Sequence, residues 1–162
     1  MQPIAILTTG GTIDKIYFDA LSEFSVGAPA VPRCFREAGI DGDIFLREIC
    51  RKDSLELTDD DRARLREAAL ACPQSRILVT HGTDTMTQSA EALRDIPGKT
   101  IVFVGAMQPA DLRETDAPFN LGFATAAVQL LPPGVYIAMN GQVFPAGSVR
   151  KNRAARRFER IG

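Results

Sequence analysis

Histidine is nearly missing from this chain and cysteine is sparse: one His and three Cys in 162 residues. Cys34, Cys50 and Cys72 are odd in number, far apart and without metal-ligand spacing. One histidine cannot complete a zinc set, so no metal site and no cofactor are expected. Idle thiols fit a reducing compartment, and a cytoplasmic location is expected. Charge of one sign is also missing, since 19 Lys and Arg face 20 Asp and Glu for a net −1. That balance gives no global reason to expect nucleic acid or a membrane surface as partner. No basic segment precedes an apolar one at the N-terminus, and no apolar run approaches a membrane span. Neither Gly-x-Gly-x-x-Gly nor a Walker loop occurs, which ranks a nucleotide-binding module last among functional readings. Internal repeats and low-complexity segments are absent too. What remains is 45% hydrophobic and 24% charged, the composition of a soluble globular protein. Residues 1–162 are expected to form a single domain whose core needs no disulfide or metal staple.

Residues 4–9 read as a buried parallel strand that runs into Gly10-Gly11-Thr12-Ile13. Two glycines at a strand's carboxyl end allow a sharp turn and close approach of a ligand to the backbone. Taken alone, this is no more than a turn with a threonine capping a backbone group. A second stretch repeats the design. Residues 75–80 read as a strand and lead into His81-Gly82-Thr83-Asp84-Thr85. Residues 43–51 alternate as a strand and end in Lys52-Asp53-Ser54, a third polar strand end. Ligands bind outside the carboxyl ends of strands in open α/β sheets, so such ends on neighbouring strands line one crevice.

The rest of the chain supplies the layers. Helices are expected over residues 31–38, 58–72, 86–96 and 117–131, and strands over 100–105 and 135–139, with an edge strand at 142–144. The fold class is α/β, an open mostly parallel sheet with helices on both faces. Thr58 opens its helix with Asp61 at capping-box distance, and Asp59, Asp60 and Asp61 read as a solvated helix start rather than a metal cluster. Asp116 reads as an N-cap. Residues 16–32 lack a clean period and read as a long loop able to close over a site. Phe18 and Phe24 are expected to tuck beneath it, while the Tyr17 hydroxyl needs a polar partner. Arg150, Lys151, Arg153, Arg156, Arg157 and Arg160 crowd the tail, which reads as a solvated turn or helix rather than a nucleic-acid patch.

Together, the two glycine-bearing strand ends resemble the bacterial-type L-asparaginase family. Its Thr-Gly-Gly-Thr-Ile and His-Gly-Thr-Asp-Thr motifs are matched without substitution at Thr9–Ile13 and His81–Thr85. The pair is specific where either motif alone is weak. Gly105-Ala106-Met107-Gln108-Pro109 is similar to Gly-Ala-Met-Arg-Pro, and Asp116–Leu121 to Asp-Gly-Pro-x-Asn-Leu. The resemblance implies an asparaginase N-terminal-type fold and hydrolysis of L-asparagine to L-aspartate and ammonia through a β-aspartyl ester. It assigns Thr12 as nucleophile, Thr83 as proton relay with a lysine, and Asp84 as binder of the substrate's α-ammonium. Lys151, in Val149-Arg150-Lys151-Asn152, matches the family's lysine. Asp53-Ser54 matches a stretch whose serine holds the α-carboxylate, and Gly11, Gly82, Ala106 and Met107 complete the expected substrate pocket.

Amide hydrolysis needs a nucleophile, a route for its proton and donors for the oxyanion, and these residue types suit that work. His81 precedes the second motif's polar end and reads as a structural hydrogen-bonder. The family's lid tyrosine stands just before a Val-Gly pair; here that place holds Ser25 preceded by Phe24, leaving Tyr17 to supply the hydroxyl. Asp14 and Lys15 carry charge where the family has small residues. Family members run to about twice this length, so the resemblance is to a short form corresponding to the N-terminal domain only. A homo-oligomer, at least a dimer, is expected around residues 117–131 and the strand beside them, because Phe119, Phe123 and Leu130 lie off that helix's inner stripe. Glutaminase or other small-amide activity and a non-catalytic amino-acid-binding domain are the competing readings.

Overall fold

A computed structural model describes residues 1–162. Its centre is a six-stranded sheet in the order β4-β1-β5-β6-β7-β8. The strands are β1 (Ile4–Gly10), β4 (Ile44–Lys52), β5 (Arg76–Thr80), β6 (Thr100–Val104), β7 (Gly134–Met139) and β8 (Gln142–Pro145). The first five are parallel, and β8 closes one edge antiparallel to β7. Side chains alternate across the sheet as the two-residue strand period requires. Ala5, Leu7, Ile77, Val79, Ile101 and Phe103 enter one apolar layer with α2 (Asp59–Ala71) and α3 (Met86–Ala92). Ile4, Ile6, Leu78, Val102 and Val104 enter the other with α1 (Val31–Glu37) and α4 (Ala117–Leu130). The expected α/β architecture, with helices on both faces, is therefore what forms.

Among the parallel strands the chain order is 2-1-3-4-5, which reverses direction between β1 and β5. Such a switch point opens a crevice at the carboxyl ends of the two strands, because their following connections leave to opposite faces. Gly10-Gly11-Thr12 and His81–Asp84 both sit there. A register shift between β1 and β4, where Thr8 pairs with Glu48 but Gly10 with Lys52, brings the third strand end alongside.

Several expectations need correction. Residues 16–32 are not one long loop: β2 (Lys15–Phe18) and β3 (Glu23–Val26) form an antiparallel hairpin with Tyr17 opposite Phe24. It stands off the core, so no buried face imprinted a period on its sequence. Phe18 and Phe24 do not tuck under it; both are about half exposed. The helix expected to reach residue 96 stops at Ala92, and Leu93 and Ile96 are buried in tight turns leading to Pro97. The basic tail is not a helix but a second hairpin, β9 (Val149–Asn152) with β10 (Arg157–Arg160), joined by an exposed turn at Arg153–Arg156 and anchored by buried Val149 and Phe158.

The capping box at Thr58 and Asp61 forms as expected. Asp61, however, is not a solvated helix start: it is 3% exposed and accepts from the Thr58 backbone, Lys52 and Arg64. Burial opposes its ionisation, but the bonds from Lys52, Thr58 and Arg64 outweigh it and hold the carboxyl well below the usual range. A carboxylate depressed in the fold stabilises above its unfolded value and loses that contribution in acid. Asp61→Ala should therefore lower stability at neutral pH by about 2 kcal/mol. Urea unfolding of both proteins across pH checks this: the deficit should shrink as pH falls below about 4.

Candidate active site

The site is built on contacts that only glycine permits. Gly11 has φ +87°, and a Cβ there would fall 2.3 Å from the Gly82 nitrogen. A Cβ on Gly82 would fall 2.5 Å from Ser54 Cβ. The ends of β1, β4 and β5 are thus pressed together, with the Gly11 amide donating to the Lys52 carbonyl at 2.8 Å and Thr85 Oγ1 donating to the Ser54 carbonyl at 2.7 Å. Thr12 starts a single 3₁₀ turn, Thr12–Asp14, directly after this junction. Its side chain is half-buried, and its hydroxyl makes no hydrogen bond within the protein. The hydroxyl of buried Ser54 makes none either.

Lys151 reaches this junction from the far end of the chain. Its Nζ donates to Thr83 Oγ1 and to Asp84 Oδ1, both at 2.7 Å. The route is the tail hairpin: β9 lies against α3, the helix that follows the His81–Thr85 segment. Thr83 is 5% exposed, and its own hydroxyl proton faces Met107 Sδ at 3.9 Å, a weak acceptor. Arg153, one turn residue beyond β9, places its Nε 3.2 Å from the same Asp84 Oδ1.

The walls are fixed by a carboxylate that occupies the expected N-cap position of α4 but has another task. Asp116 does not cap α4 with its side chain. It accepts instead from the backbone amides of Met107 and Gln108 and from Asn120 Nδ2, and Asn120 also donates to the Gly105 carbonyl. The two residues are one helical turn apart, so both reach back to the end of β6 and pin Gly105–Gln108 at the crevice. Their spacing in the motif was visible, but their target was not. His81 is fully buried between Ser89 Oγ and the Gly82 carbonyl. Burial pushes its pKa down to about 4, so it is neutral and structural, as expected.

Of the candidate residues, Gly11, Thr12, Asp53, Ser54, Gly82, Thr83, Asp84, Met107 and Lys151 belong to this cluster of strand ends, and Ala106 is buried in the apolar layer. Asp53 pairs with Lys15 Nζ at 2.7 Å, tying the base of the β2–β3 hairpin to the end of β4. Tyr17 is not drawn in to the same degree. It is half exposed, makes no hydrogen bond, and stacks edge-on against Phe24 at 5.4 Å. It faces the very aromatic that lacks a hydroxyl.

A threonine–lysine–aspartate cluster therefore sits at the switch point of a parallel α/β sheet. The chain belongs to the asparaginase family: the family model described as asparaginase, N-terminal, matches residues 3–159. A probable periplasmic L-asparaginase of Haemophilus influenzae is 33% identical over 91% of this chain and 46% of its own length. A glutaminase-asparaginase of Acinetobacter glutaminasificans is 29% identical over 91% of this chain and 49% of its own. The thermostable L-asparaginase structure from Thermococcus kodakarensis superposes with a TM-score of 0.86 at 27% identity, covering 99% of this chain and 51% of that one. The chain thus spans about half the length of these relatives.

Asp14 was noted from sequence only as a departure from the family. Two residues past Thr12, it is 2% exposed and accepts from the Ala30 amide at 2.8 Å. Burial raises its pKa to about 7, against that hydrogen bond. A carboxyl raised in the fold is harmless below its unfolded value and costs stability as pH climbs through the folded one. Asp14→Asn keeps an acceptor for Ala30 without the charge. Its melting temperature relative to the parent should rise from pH 4 to pH 8; a difference independent of pH would show that Asp14 is not carrying the strain.

Proposed function

We propose that this chain is an L-asparagine amidohydrolase, releasing L-aspartate and ammonia through a β-aspartyl ester on Thr12. The observation that carries the reading is Lys151 Nζ bridging Thr83 and Asp84 at 2.7 Å each. Thr12 Oγ1, free of protein partners, attacks the side-chain carboxamide carbon. Its proton leaves through the Thr83–Lys151 relay and is delivered to the departing ammonia. Water then opens the ester by the same route in reverse, regenerating the Thr12 hydroxyl. Asp84 receives the substrate's α-ammonium, and Ser54, against Gly82, meets the α-carboxylate. Tyr17 closes from the hairpin with the hydroxyl that Phe24 lacks. Glutamine is a second substrate of this reading, favoured by the similarity to a glutaminase-asparaginase. Three free thiols support a cytoplasmic location, and no helix is long and apolar enough to cross a membrane.

The reading includes a homo-oligomer built on α4. Phe119 and Leu130 are 64% and 83% exposed, and Phe119 stacks on Phe123. The neighbouring strand is no part of that surface, because β7 is buried between β6 and β8. Sedimentation equilibrium at micromolar concentration should give at least twice 17.6 kDa, and Phe123→Glu should weaken the assembly by burying an unpaired carboxylate. A monomer in the parent refutes it.

Thr12→Ala should leave thermal unfolding unchanged while ammonia release from L-asparagine falls at least about a thousandfold. Activity within about tenfold of the parent would remove Thr12 as nucleophile.

A further inference from the structure

Asp84 carries more positive charge than one carboxylate needs. Lys151 Nζ donates to Oδ1 and Arg153 Nε lies 3.2 Å from the same oxygen, while no protein group hydrogen-bonds to Oδ2. Lys151 is further committed to Thr83, and the other cation nearby, Lys15, is paired with Asp53. Arg153 differs from both. Its two Nη groups make no hydrogen bond within the protein, and its side chain is 66% exposed. An exposed pair of this kind contributes little to stability and rearranges readily.

The root of Arg153 is nevertheless fixed. Its carbonyl accepts from the Arg156 amide at 3.2 Å, and Asn152 Oδ1 accepts from the Ala155 amide at 3.0 Å, closing the turn. Asn152 and Arg157 both donate to Glu159, and Phe158 is buried with its amide bonded to Asn140. A rigid hairpin therefore holds a guanidinium at the mouth of the site with its fork of donors unused.

The geometry points to Arg153 as a substrate-binding residue that reads the α-carboxylate of an amino acid whose α-ammonium sits on Asp84 Oδ2. An α-amino acid bears both charges on one carbon, and Asp84 and Arg153 offer the opposite pair side by side. A guanidinium fork matches a carboxylate in shape as well as charge. This rests on the proposed site and narrows its ligands to amino acids with both α groups free, so that amides lacking an α-carboxylate bind poorly. Ser54 supplies a neutral hydroxyl to the same carboxylate, whereas Arg153 supplies the charge.

Calorimetric titration tests this without turnover. The probes are L-aspartate and β-alanine, which is L-aspartate without its α-carboxylate. The parent should prefer L-aspartate. In Arg153→Ala, L-aspartate affinity should fall about tenfold, with β-alanine unchanged; Arg153→Lys should recover only part, having charge without the planar fork. Equal losses on both ligands would mean that Arg153 acts only through Asp84 and would overturn the proposal, as would an unchanged preference. Ammonia release from L-asparagine is followed in parallel. A parent that binds L-aspartate with the expected Arg153 dependence but releases no ammonia refutes the hydrolase reading alone. A parent that binds neither amino acid refutes both.

Discussion

A single methyl group at Gly11 would collide with the Gly82 nitrogen, and one at Gly82 with Ser54. Three strand ends from distant parts of the sequence are in backbone contact because two side chains are missing. Everything else at the site is referred to that junction. Thr12 follows it with a free hydroxyl, Thr83 and Asp84 lie just past the end of β5, and Asp53 and Ser54 just past the end of β4. The parallel sheet supplies the rest of the constraint. Its buried strands make the junction rigid, and the reversal of strand order between β1 and β5 leaves it open to solvent.

Upon this frame the charged groups are layered by distance from the junction. Lys151 arrives on a hairpin and is held by two acceptors within 2.7 Å. Asp116 and Asn120 hold the Gly105–Gln108 backbone without touching the crevice's acceptors themselves. Lys15 joins the β2–β3 hairpin to Asp53. Each of these bonds links an element outside the central sheet to a strand end within it. The site is therefore a meeting point of separate secondary elements, and its polar groups are satisfied mostly by one another.

Asp14 and His81 show how burial sorts the titratable groups here. Both are almost fully enclosed, and burial favours the neutral form of each, raising the Asp14 pKa to about 7 and lowering that of His81 to about 4. Asp61 is equally enclosed yet stays charged, because two cations and a backbone amide converge on it. The difference is in partners, not in depth. Sequence spacing flagged Asp61 as a cap and His81 as structural, but it could not show which carboxyl would be left with a single donor.

Much of the architecture could be read from residue patterns. Buried strands are continuous aliphatic runs, helices carry apolar stripes, and both signals are local, so β1, β5, β6, β7, α2 and α4 were placed within a few residues. The two glycine motifs marked the strand ends, and the resemblance they carry named Thr12, Thr83, Asp84 and Lys151. The hairpins escaped detection because neither has a conventional inner face: β2–β3 stands in solvent, and β9–β10 alternates arginines with only two buried anchors, Val149 and Phe158. Tertiary structure alone decided that Asp116 reaches across to Met107 and Gln108, that Lys15 meets Asp53, and that Arg153 joins Lys151 on Asp84. The last two are contacts between residues far apart in the chain, and the first links a helix start to the end of the strand before it. Side-chain type and local period determine what a segment becomes, but the partner of a charge is fixed only when the sheet has set which strand ends lie side by side.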